Sequence, residues 1–392
     1  MVIGPRWPLG DSHEMTKGIA TDAERPSGDR AVHANAFGFL RLFFASLVIV
    51  SHTPEMLDAD RSRELLTMVF GTISFGELAV NAFFLISGFL IVGSFVKRPE
   101  IMPYLRNRVA RIYPGFIVAS LVTLLIAAPL GGATAQGLLD TAARSALKIV
   151  VLDDPWEPGA FTTNPLTTLN GPMWTIAYEF RCYLLVIALG LAGVFRYPAL
   201  VAALAVACLC AAEFTPRGVA IRVDEMFPYS TSVFGDIVQT LRLTGLFLAG
   251  AVFYLKREAI RFTIRGIVIA AAGLIVCLCF THLAEPGVAV FGGYLIFAVA
   301  AWGGRGVLAR INNGTDISYG VYLYAWPAAQ LLIYHNPDIG VWELGPLTFA
   351  IAGLWGWISW HVIEKPMMRR FRGPVRWRSS PRPVGTSVAS GA

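Results

Sequence analysis

The chain alternates long apolar runs with short polar segments rich in glycine and proline. Hydropathy with this Gly/Pro punctuation predicts ten helices, at 36–52, 71–96, 112–130, 171–195, 198–213, 237–255, 266–282, 287–303, 316–334 and 343–363. Many runs reach about 20 residues, enough to cross a hydrocarbon core of roughly 30 Å. The pattern predicts an all-α, polytopic membrane helix bundle formed by residues 36–372. An amphipathic segment at 137–152 is expected at the interface or in a loop.

Composition agrees with a membrane protein. Hydrophobic residues make up 55% of the 392 residues and charged residues only 15%, whereas soluble domains carry about a quarter charged residues. The polar stretches 1–35 and 373–392 are expected to be disordered cytoplasmic tails, the second of them basic. The five cysteines predict neither a disulfide framework nor a metal site.

The distribution of basic residues predicts the orientation. With the N-terminus inside, nineteen Lys and Arg residues fall in cytoplasmic loops and the C-terminal tail, against six in outside loops. This asymmetry predicts cytoplasmic termini and a multi-pass protein of the cytoplasmic (inner) membrane. The net charge of +6 is then a topology signal, and no nucleic-acid partner is expected.

Two polar residues bracket the first apolar run. Arg41 and His52 are eleven residues apart, so both side chains leave the same helix face, roughly 16 Å apart along the axis. Ionisable residues within a span usually mark a functional site. The alternative is a snorkelling arginine and a histidine at a helix end.

A second basic pair precedes the third apolar run. Arg108 and Arg111 are one helical turn apart, which is a spacing that can clamp a phosphate group. The positive-inside rule also explains both charges without any ligand.

The fourth run carries a carboxylate among aromatic residues. Trp174 and Tyr178 are expected to share a face as an aromatic wall, with Glu179 close by. Glu179 is predicted either to pair with Arg181 or Arg242 or to bind the hydroxyl groups of a substrate.

Other polar positions have structural readings. Ser87 and Gly88 favour close helix approach. Asp316 is predicted to cap the helix that follows it, and His361 to make a structural hydrogen bond. Tyr319 and Tyr322, with the neighbouring Ser318, are predicted either to line a pocket or to cross-link helices.

The predicted outside loops 131–170 and 213–235 place Trp156 and acidic residues together. A tryptophan beside carboxylates suits a sugar-binding surface. The alternative is a solvated acidic loop with one interfacial aromatic residue.

These motifs together resemble those of the acyltransferase-3 family of integral membrane acyltransferases, over about residues 36–372. The family's Arg-(ten residues)-His pattern corresponds to Arg41 and His52, and its cytoplasmic R-x-x-R to Arg108 and Arg111. Further matches are the 76–91 stretch with its SGF, Trp174 with Glu179, and the late segments 316–327 and 363–366. One position departs from the pattern, because Ala325 stands where many members have a histidine. That departure leaves His52 as the main catalytic candidate.

The resemblance implies transfer of an acyl group, usually acetyl, from cytoplasmic acyl-CoA to a hydroxyl of a glycan or glycolipid. It assigns acyl-CoA binding to Arg41, Arg108 and Arg111, with no metal. His52 would act as general base or acyl carrier, because an unperturbed histidine pKa of about 6.5 suits a base near neutrality.

The acceptor side of the predicted site comprises four aromatic residues and one acid. Glu179 is assigned to the catalytic centre and would hold the acceptor together with Trp174 and Tyr178. Tyr319 and Tyr322 complete the predicted substrate contacts.

Two other classes of function stay open at this stage. A transporter or flippase for a sugar-bearing or anionic substrate would also use buried arginines, although no inverted repeat is visible. A membrane scaffold of a polysaccharide-assembly complex would tolerate changes at Arg41, His52 and Glu179. The acceptor, the acyl chain length and the oligomeric state are not predicted.

Overall fold

The computed structural model describes residues 35–215 and 235–371. Except for Asn35, the two predicted tails lie outside the described residues, as do Asp224 and Glu225 of the second predicted outside loop. Within the described ranges all regular structure is helical and no strand occurs. The predicted all-α class is therefore confirmed for this part of the chain.

Twelve helices make up the described fold. They are α1 Phe37–Asp58, α2 Leu65–Phe70, α3 Phe75–Lys97, α4 Ile101–Leu130, α5 Ala135–Val150, α6 Trp174–Leu191, α7 Pro198–Phe214, α8 Ile237–Leu255, α9 Ile264–Leu278, α10 Thr281–Trp302, α11 Ser318–His335 and α12 Val341–Phe371. Helices α4, α10 and α12 each contain one π-helical turn, at Thr123–Ala127, Val288–Gly292 and Trp360–Glu364.

Each of the ten predicted apolar segments coincides with one of these helices. Within the described residues, seven helices are long and apolar enough to cross a membrane, namely α1, α3, α4, α6 (with its preceding turn), α8, α10 and α12. Helices α7 and α9 are apolar but shorter. The structure thus gives a multi-pass membrane bundle, while ten spans and the orientation stay predictions.

Two helices extend beyond their predicted ends into more polar sequence. Helix α1 continues six residues beyond His52 and includes Pro54, and α4 begins at Ile101, well before the predicted 112. Both extensions are less apolar than the spans they belong to, so a hydropathy window ends too early. Helix α5 is amphipathic as predicted, since it buries Thr141 and Ser145 and exposes apolar residues.

Helices α3 and α8 pack in backbone contact at the centre of the bundle. A Cβ atom at Gly88 would overlap the carbonyl oxygen of Phe247, and one at Gly250 would overlap that of Leu85. Small residues are what allow helices in a membrane to approach this closely. The predicted close approach at Gly88 is therefore confirmed. It holds α3 at a fixed depth beside α1 and α6, which carry the candidate site.

The acidic loop after α5 is held by its own contacts. Asp153 and Asp154 accept from Lys148 at 2.8 and 3.3 Å, and the guanidinium of Arg144 lies 4.0 Å from the Trp156 ring centroid. Glu157 is buried and accepts from Thr141 at 2.6 Å. Burial and the neighbouring Asp153 raise the pKa of Asp154 to about 6, against the lowering effect of Lys148. These contacts favour the structural reading of the described loop over a sugar-binding surface.

Candidate active site

A cavity of about 170 Å³ opens between α1, α3, α4, α6 and α11, and we call it the arginine cavity. Six of the nine residues predicted for the site line it: Arg41, Arg108, Arg111, Glu179, Tyr319 and Tyr322. Residues separated by more than 200 positions in sequence thus meet around one space. The prediction that Tyr319, Tyr322 and Ser318 could line a pocket is confirmed.

Two of the three arginines are already paired with acids. Arg41 and Arg111 both reach Asp316, at 3.1 and 2.9 Å, and Arg111 also reaches Glu364 at 2.7 Å. Glu364 is fully buried and accepts a second bond from Ser359 at 3.0 Å. A buried cluster with partners for each charge is typical of a structural brace between helices.

Asp316 lies in the loop before α11 and is the centre of that cluster. Burial would raise the pKa of its carboxyl, but Arg41, Arg111 and hydrogen bonds from Ser318 and Asn312 lower this pKa to about 2. The predicted helix cap is wrong, because the N-cap of α11 is Ile317 and no side chain caps the helix. The nearby cations compete for the carboxylate more strongly than backbone N–H groups do.

Arg108 differs from its neighbour one turn away. Among the described residues it has no carboxylate partner, and its Nε atom is buried without a hydrogen bond. Its guanidinium lies 5.9 and 5.8 Å from the ring centroids of Tyr104 and Tyr183. A cation held against aromatic faces and facing a cavity is available for an anionic ligand.

Glu179 faces the arginine cavity through neutral partners. Ser87 and Tyr183 donate to its Oε1 at 2.5 and 2.7 Å. The predicted pairing with Arg181 or Arg242 is wrong, because those two arginines lie elsewhere.

Arg181 stacks on Tyr178, with 4.7 Å between guanidinium carbon and ring centroid. Arg242 reaches Glu285 at 2.7 Å and donates to Asn81 at 2.6 Å. Arg181 is two residues after Glu179, so its side chain leaves α6 on a different face, and Arg242 lies on α8, where Glu285 and Asn81 occupy its guanidinium.

A second cavity, of about 70 Å³, contains the histidine and is called the histidine cavity. Its polar lining comprises Ser51, His52, Arg61, Ser74, Glu77, Trp174 and Arg242, together with the shared residues described below. His52 Nδ1 lies 2.8 Å from Glu55 Oε2, and Arg61 Nε donates to Glu55 Oε1 at 2.6 Å. Edge-to-face contact with Trp326, at 5.1 Å between ring centroids, holds the other side of the imidazole.

The two cavities share a wall. Val80, Thr175 and Tyr322 line both of them. The Tyr322 hydroxyl donates to the Pro172 carbonyl at 2.8 Å and shares a 2.7 Å hydrogen bond with the Thr175 hydroxyl. The three shared residues form a common border, called the wall below, between the cavity of Arg41, Arg108 and Arg111 and the cavity of His52.

A third, apolar cavity of about 20 Å³ borders His52 on the side of α11 and α12. It is lined by Val48, Ile49, Thr53, Met56, Ala325, Trp326 and Ala329, among others. Ala325, the position at which the family pattern has a histidine, thus contributes a methyl group to this cavity.

The structure divides the residues predicted to hold an acceptor. Trp174 lines the histidine cavity and Glu179 the arginine cavity, whereas Tyr178 lines neither. Trp174 and Tyr178 do contact each other edge to face at 5.3 Å between ring centroids. Tyr178 accepts from the backbone N–H of Asp236 at 2.8 Å, so its hydroxyl fixes the start of α8.

Three functional neighbours were missed by the sequence reasoning. Glu55 lies one turn after His52, and a H-x-x-E pattern would have revealed it if the helix had been extended through Pro54. The local sequence predicts only a cap at Asp316, and no pattern near Glu364 indicates its partner Arg111, which lies 253 residues away. The predicted structural role of His361 is confirmed, because its Nδ1 bonds the Trp357 carbonyl oxygen at 2.9 Å. Within the described residues, no group of three or more His, Cys, Asp or Glu could hold a metal ion.

Comparison with known proteins places this arrangement in context. The profile of the family described as acyltransferase domain matches residues 35–362. The O-acetyl transferase of Shigella phage Sf6 is 24% identical over 86% of this chain and 97% of its own length. Nodulation protein 10 of Rhizobium leguminosarum bv. viciae is 26% identical over 86% of this chain and 94% of its own. Acyltransferase MdmB of Streptomyces mycarofaciens is 28% identical over 40% of this chain and 38% of its own. No solved structure gives a significant match.

Proposed function

Because the chain belongs to the acyltransferase domain family and is therefore a membrane O-acyltransferase, we propose that it transfers an acetyl group from cytoplasmic acetyl-CoA to a hydroxyl of a surface polysaccharide or glycoconjugate. The observation that carries this proposal is the pair of cavities. One contains Arg108, which has no acidic partner among the described residues, the other contains the carboxylate-held His52, and Val80, Thr175 and Tyr322 line both.

The donor occupies the arginine cavity. Arg108, which has no acidic partner among the described residues, binds a phosphate of CoA. Arg41 and Arg111, paired with Asp316 and Glu364, fix the helices that line the cavity. Glu179 accepts from an amide N–H of the pantetheine arm, since that arm offers donors and no positive charge.

The arginine cavity faces the cytoplasm. Helices α3 and α8 run parallel, since Asn81 contacts Arg242 and Gly93 lies against Tyr254, and they end beyond the cavity-lining residues, at Lys97 and Leu255. Helix α4 begins there and α12 ends there, with Arg369 and Arg370 in its last turn. This concentration of basic residues at one end supports the orientation by the positive-inside rule. It also supports localisation in the cytoplasmic membrane.

The acceptor occupies the histidine cavity. Trp174 offers an aromatic face, and Glu77 and Arg242 offer charged hydrogen-bonding groups around it. This combination suits a hydroxyl-rich ring. The relative named O-acetyl transferase supports a hydroxyl acceptor.

The acyl group is short because the apolar cavity beside His52 is small. Its volume of about 20 Å³ is close to that of one water-sized sphere. A methyl group fits there, whereas a longer chain would need the surrounding side chains to move.

His52 carries out the chemistry. In direct transfer its imidazole takes the proton of the acceptor hydroxyl while the oxygen attacks the thioester carbonyl. The C–S bond breaks, and the leaving thiolate of CoA receives that proton from the imidazolium. In the covalent route Nε2 attacks the thioester carbonyl, the C–S bond breaks and CoA leaves as the thiolate. The acceptor oxygen then attacks the acyl carbon, the C–N bond breaks, and the freed Nε2 takes the hydroxyl proton and passes it to the thiolate.

The test uses the purified full chain in lipid nanodiscs with radiolabelled acetyl-CoA. We expect CoA release and labelled acceptor with the wild type and neither with His52→Ala, while both proteins bind acetyl-CoA equally. Label trapped on the wild-type protein alone would identify the covalent route. Full activity of His52→Ala would contradict the role of His52. If neither protein releases CoA in nanodiscs but both transport a sugar-bearing substrate after reconstitution in sealed vesicles, the transporter hypothesis is favoured instead.

A further inference from the structure

Of the two ring nitrogens of His52, only Nδ1 is hydrogen-bonded within the part of the chain that the structure describes. Its Nδ1 lies 2.8 Å from Glu55 Oε2, and within the described residues its Nε2 makes no hydrogen bond. The His52 side chain is 20% exposed and that of Glu55 only 11%. The free nitrogen is thus the one left for the cavities that His52 borders.

Glu55 is itself fixed from two directions. Its Oε1 accepts from Arg61 Nε at 2.6 Å, so each carboxylate oxygen has a separate cationic or N–H partner. The helix makes this possible, because α1 continues through Pro54 and places residues 52 and 55 one turn apart. Arg61 follows in the short turn after α1 and closes over the carboxylate.

An ionised carboxylate can only accept hydrogen bonds. Nδ1 of His52 therefore carries the proton, and the lone pair is on Nε2. That tautomer is the one needed to take a proton from a hydroxyl or to attack a thioester. When the imidazole becomes positive, the carboxylate stabilises it, as the aspartate does in serine-protease triads.

We propose that Glu55 is a positioning residue for catalysis, which fixes the tautomer and ring orientation of His52 while Arg61 holds the carboxylate in place. This inference rests on the proposed function of His52. It applies equally to direct transfer and to an acyl-enzyme, because both need a basic Nε2. Glu55 takes no proton in either route, and Nδ1 keeps its hydrogen throughout.

The test compares Glu55→Gln, Glu55→Asp and Arg61→Ala with a matched control, Asp58→Asn. Asp58 lies on the same helix one turn later and pairs with Arg63 instead of His52. In Glu55→Gln the amide can donate to Nδ1 and so stabilise the opposite tautomer. Acetyl-CoA turnover, KM for both substrates, acetyl-CoA binding and thermal unfolding are measured for each full-length variant in nanodiscs.

We expect Glu55→Gln to lower kcat by about a thousandfold to ten-thousandfold, since the wrong tautomer costs about ten-thousandfold in a serine-protease triad, with KM unchanged. Glu55→Asp should recover part of the loss because it keeps the acceptor, and Arg61→Ala should lose less than Glu55→Gln. Asp58→Asn should match the wild type. This split between kcat and KM, with rescue by aspartate, is not what a merely structural role would give.

Several outcomes overturn the inference. If Glu55→Gln has a kcat close to that of the wild type while His52→Ala is inactive, Glu55 has no positioning role. The proposed function of His52 is then unaffected. Equal losses of stability and acetyl-CoA binding in Glu55→Gln and Glu55→Asp would make the residue structural. A wild type that releases no CoA would overturn the proposed function and this inference together.

Discussion

The ionisable side chains near the two ends of α1, Arg41 and His52, differ in how many of their polar atoms have partners. Around Arg41, three guanidinium groups line the arginine cavity. Those of Arg41 and Arg111 are paired with the acids Asp316 and Glu364. At the other end, the imidazole of His52 is paired with one carboxylate, that of Glu55, through Nδ1 alone. The difference separates two uses of buried charge. Arg41 and Arg111 have acidic partners within the protein, so these ion pairs connect helices. Among the described residues His52 has a hydrogen-bond partner at Nδ1 only, so its Nε2 is left for a ligand.

The largest effect is expected from removing one residue of the buried ion cluster formed by Arg41, Arg111, Asp316 and Glu364. Arg111→Ala leaves the fully buried Glu364 without its cation, and removing one partner of a buried pair costs about 3–5 kcal/mol. We expect thermal unfolding of the detergent-solubilised protein to occur at a clearly lower temperature. Arg111→Ala combined with Glu364→Gln should recover most of the stability, because no uncompensated charge remains.

The control for Arg111 is Arg106→Ala, since Arg106 is exposed on the same helix. A stable Arg111→Ala protein whose only defect is weak acetyl-CoA binding would show that Arg111 serves the donor instead of the fold. The comparison between the two cavities would then lose its basis.

The next effect concerns the unpaired arginine. Arg108→Ala should raise KM for acetyl-CoA by about tenfold to a hundredfold, since a hydrogen bond to a charged group is worth about 1.5–3 kcal/mol. Thermal stability should stay close to wild type because Arg108 has no acid to leave behind. Arg108→Lys should recover part of the affinity, and Arg106→Ala again serves as the control. An unchanged KM for Arg108→Ala would place the phosphates elsewhere.

A smaller effect is expected at the apolar cavity beside His52. Val48→Ala enlarges this cavity, so the preference for acetyl-CoA over propionyl-CoA should fall by about tenfold, because one methylene is worth about 1–3 kcal/mol. The measurement is the ratio of kcat/KM for the two donors. Val50→Ala is the matched control, since Val50 lies on the same helix and is 56% exposed. An unchanged ratio in Val48→Ala would mean that this cavity does not receive the acyl group.

The smallest effect tests the wall between the cavities. Tyr322→Phe removes the hydrogen bonds to Pro172 and Thr175 but keeps the ring. We expect acetyl-CoA hydrolysis without acceptor to rise several-fold, because a loosened wall admits water to the thioester. Tyr324→Phe, two residues along the same helix, is the control. Equal hydrolysis in all three proteins would show that the wall does not need its hydrogen bonds.

The local sequence predicts that Arg108 and Arg111 lie close together. It does not predict that Arg111 is paired with acids while Arg108, among the described residues, is not. The i,i+3 spacing of Arg108 and Arg111 predicts two neighbouring cations, and the structure confirms that both line one cavity. Arg111 meets Glu364, which is 253 residues away in sequence, so no local pattern could assign the pair. Glu179 shows the same limit, because its partner Ser87 lies on another helix.

Hydropathy predicts where the long helices lie but not the residues at which they begin and end. Apolar runs locate a helix because the burial of apolar side chains in lipid dominates the free energy along the whole segment. The ends are decided by a few polar residues, and Glu55 was lost from the predicted site because the predicted helix ended at His52. The last six residues of α1 are stabilised by contacts with Arg61 and α11 that the sequence window does not contain.

The sequence by itself determined that this protein is an all-helical membrane acyltransferase with Arg41 and His52 on one helix face, because composition, periodicity and motif order are properties of the chain. Only the tertiary structure decided which charges are paired, that two cavities share the Val80–Thr175–Tyr322 wall, and that Tyr178 supports α8 instead of lining either one. The physical reason is that side-chain pairing depends on distances between helices far apart in sequence. These distances are fixed by close contacts such as that of Gly88 with Phe247, which become visible only when the helices are packed.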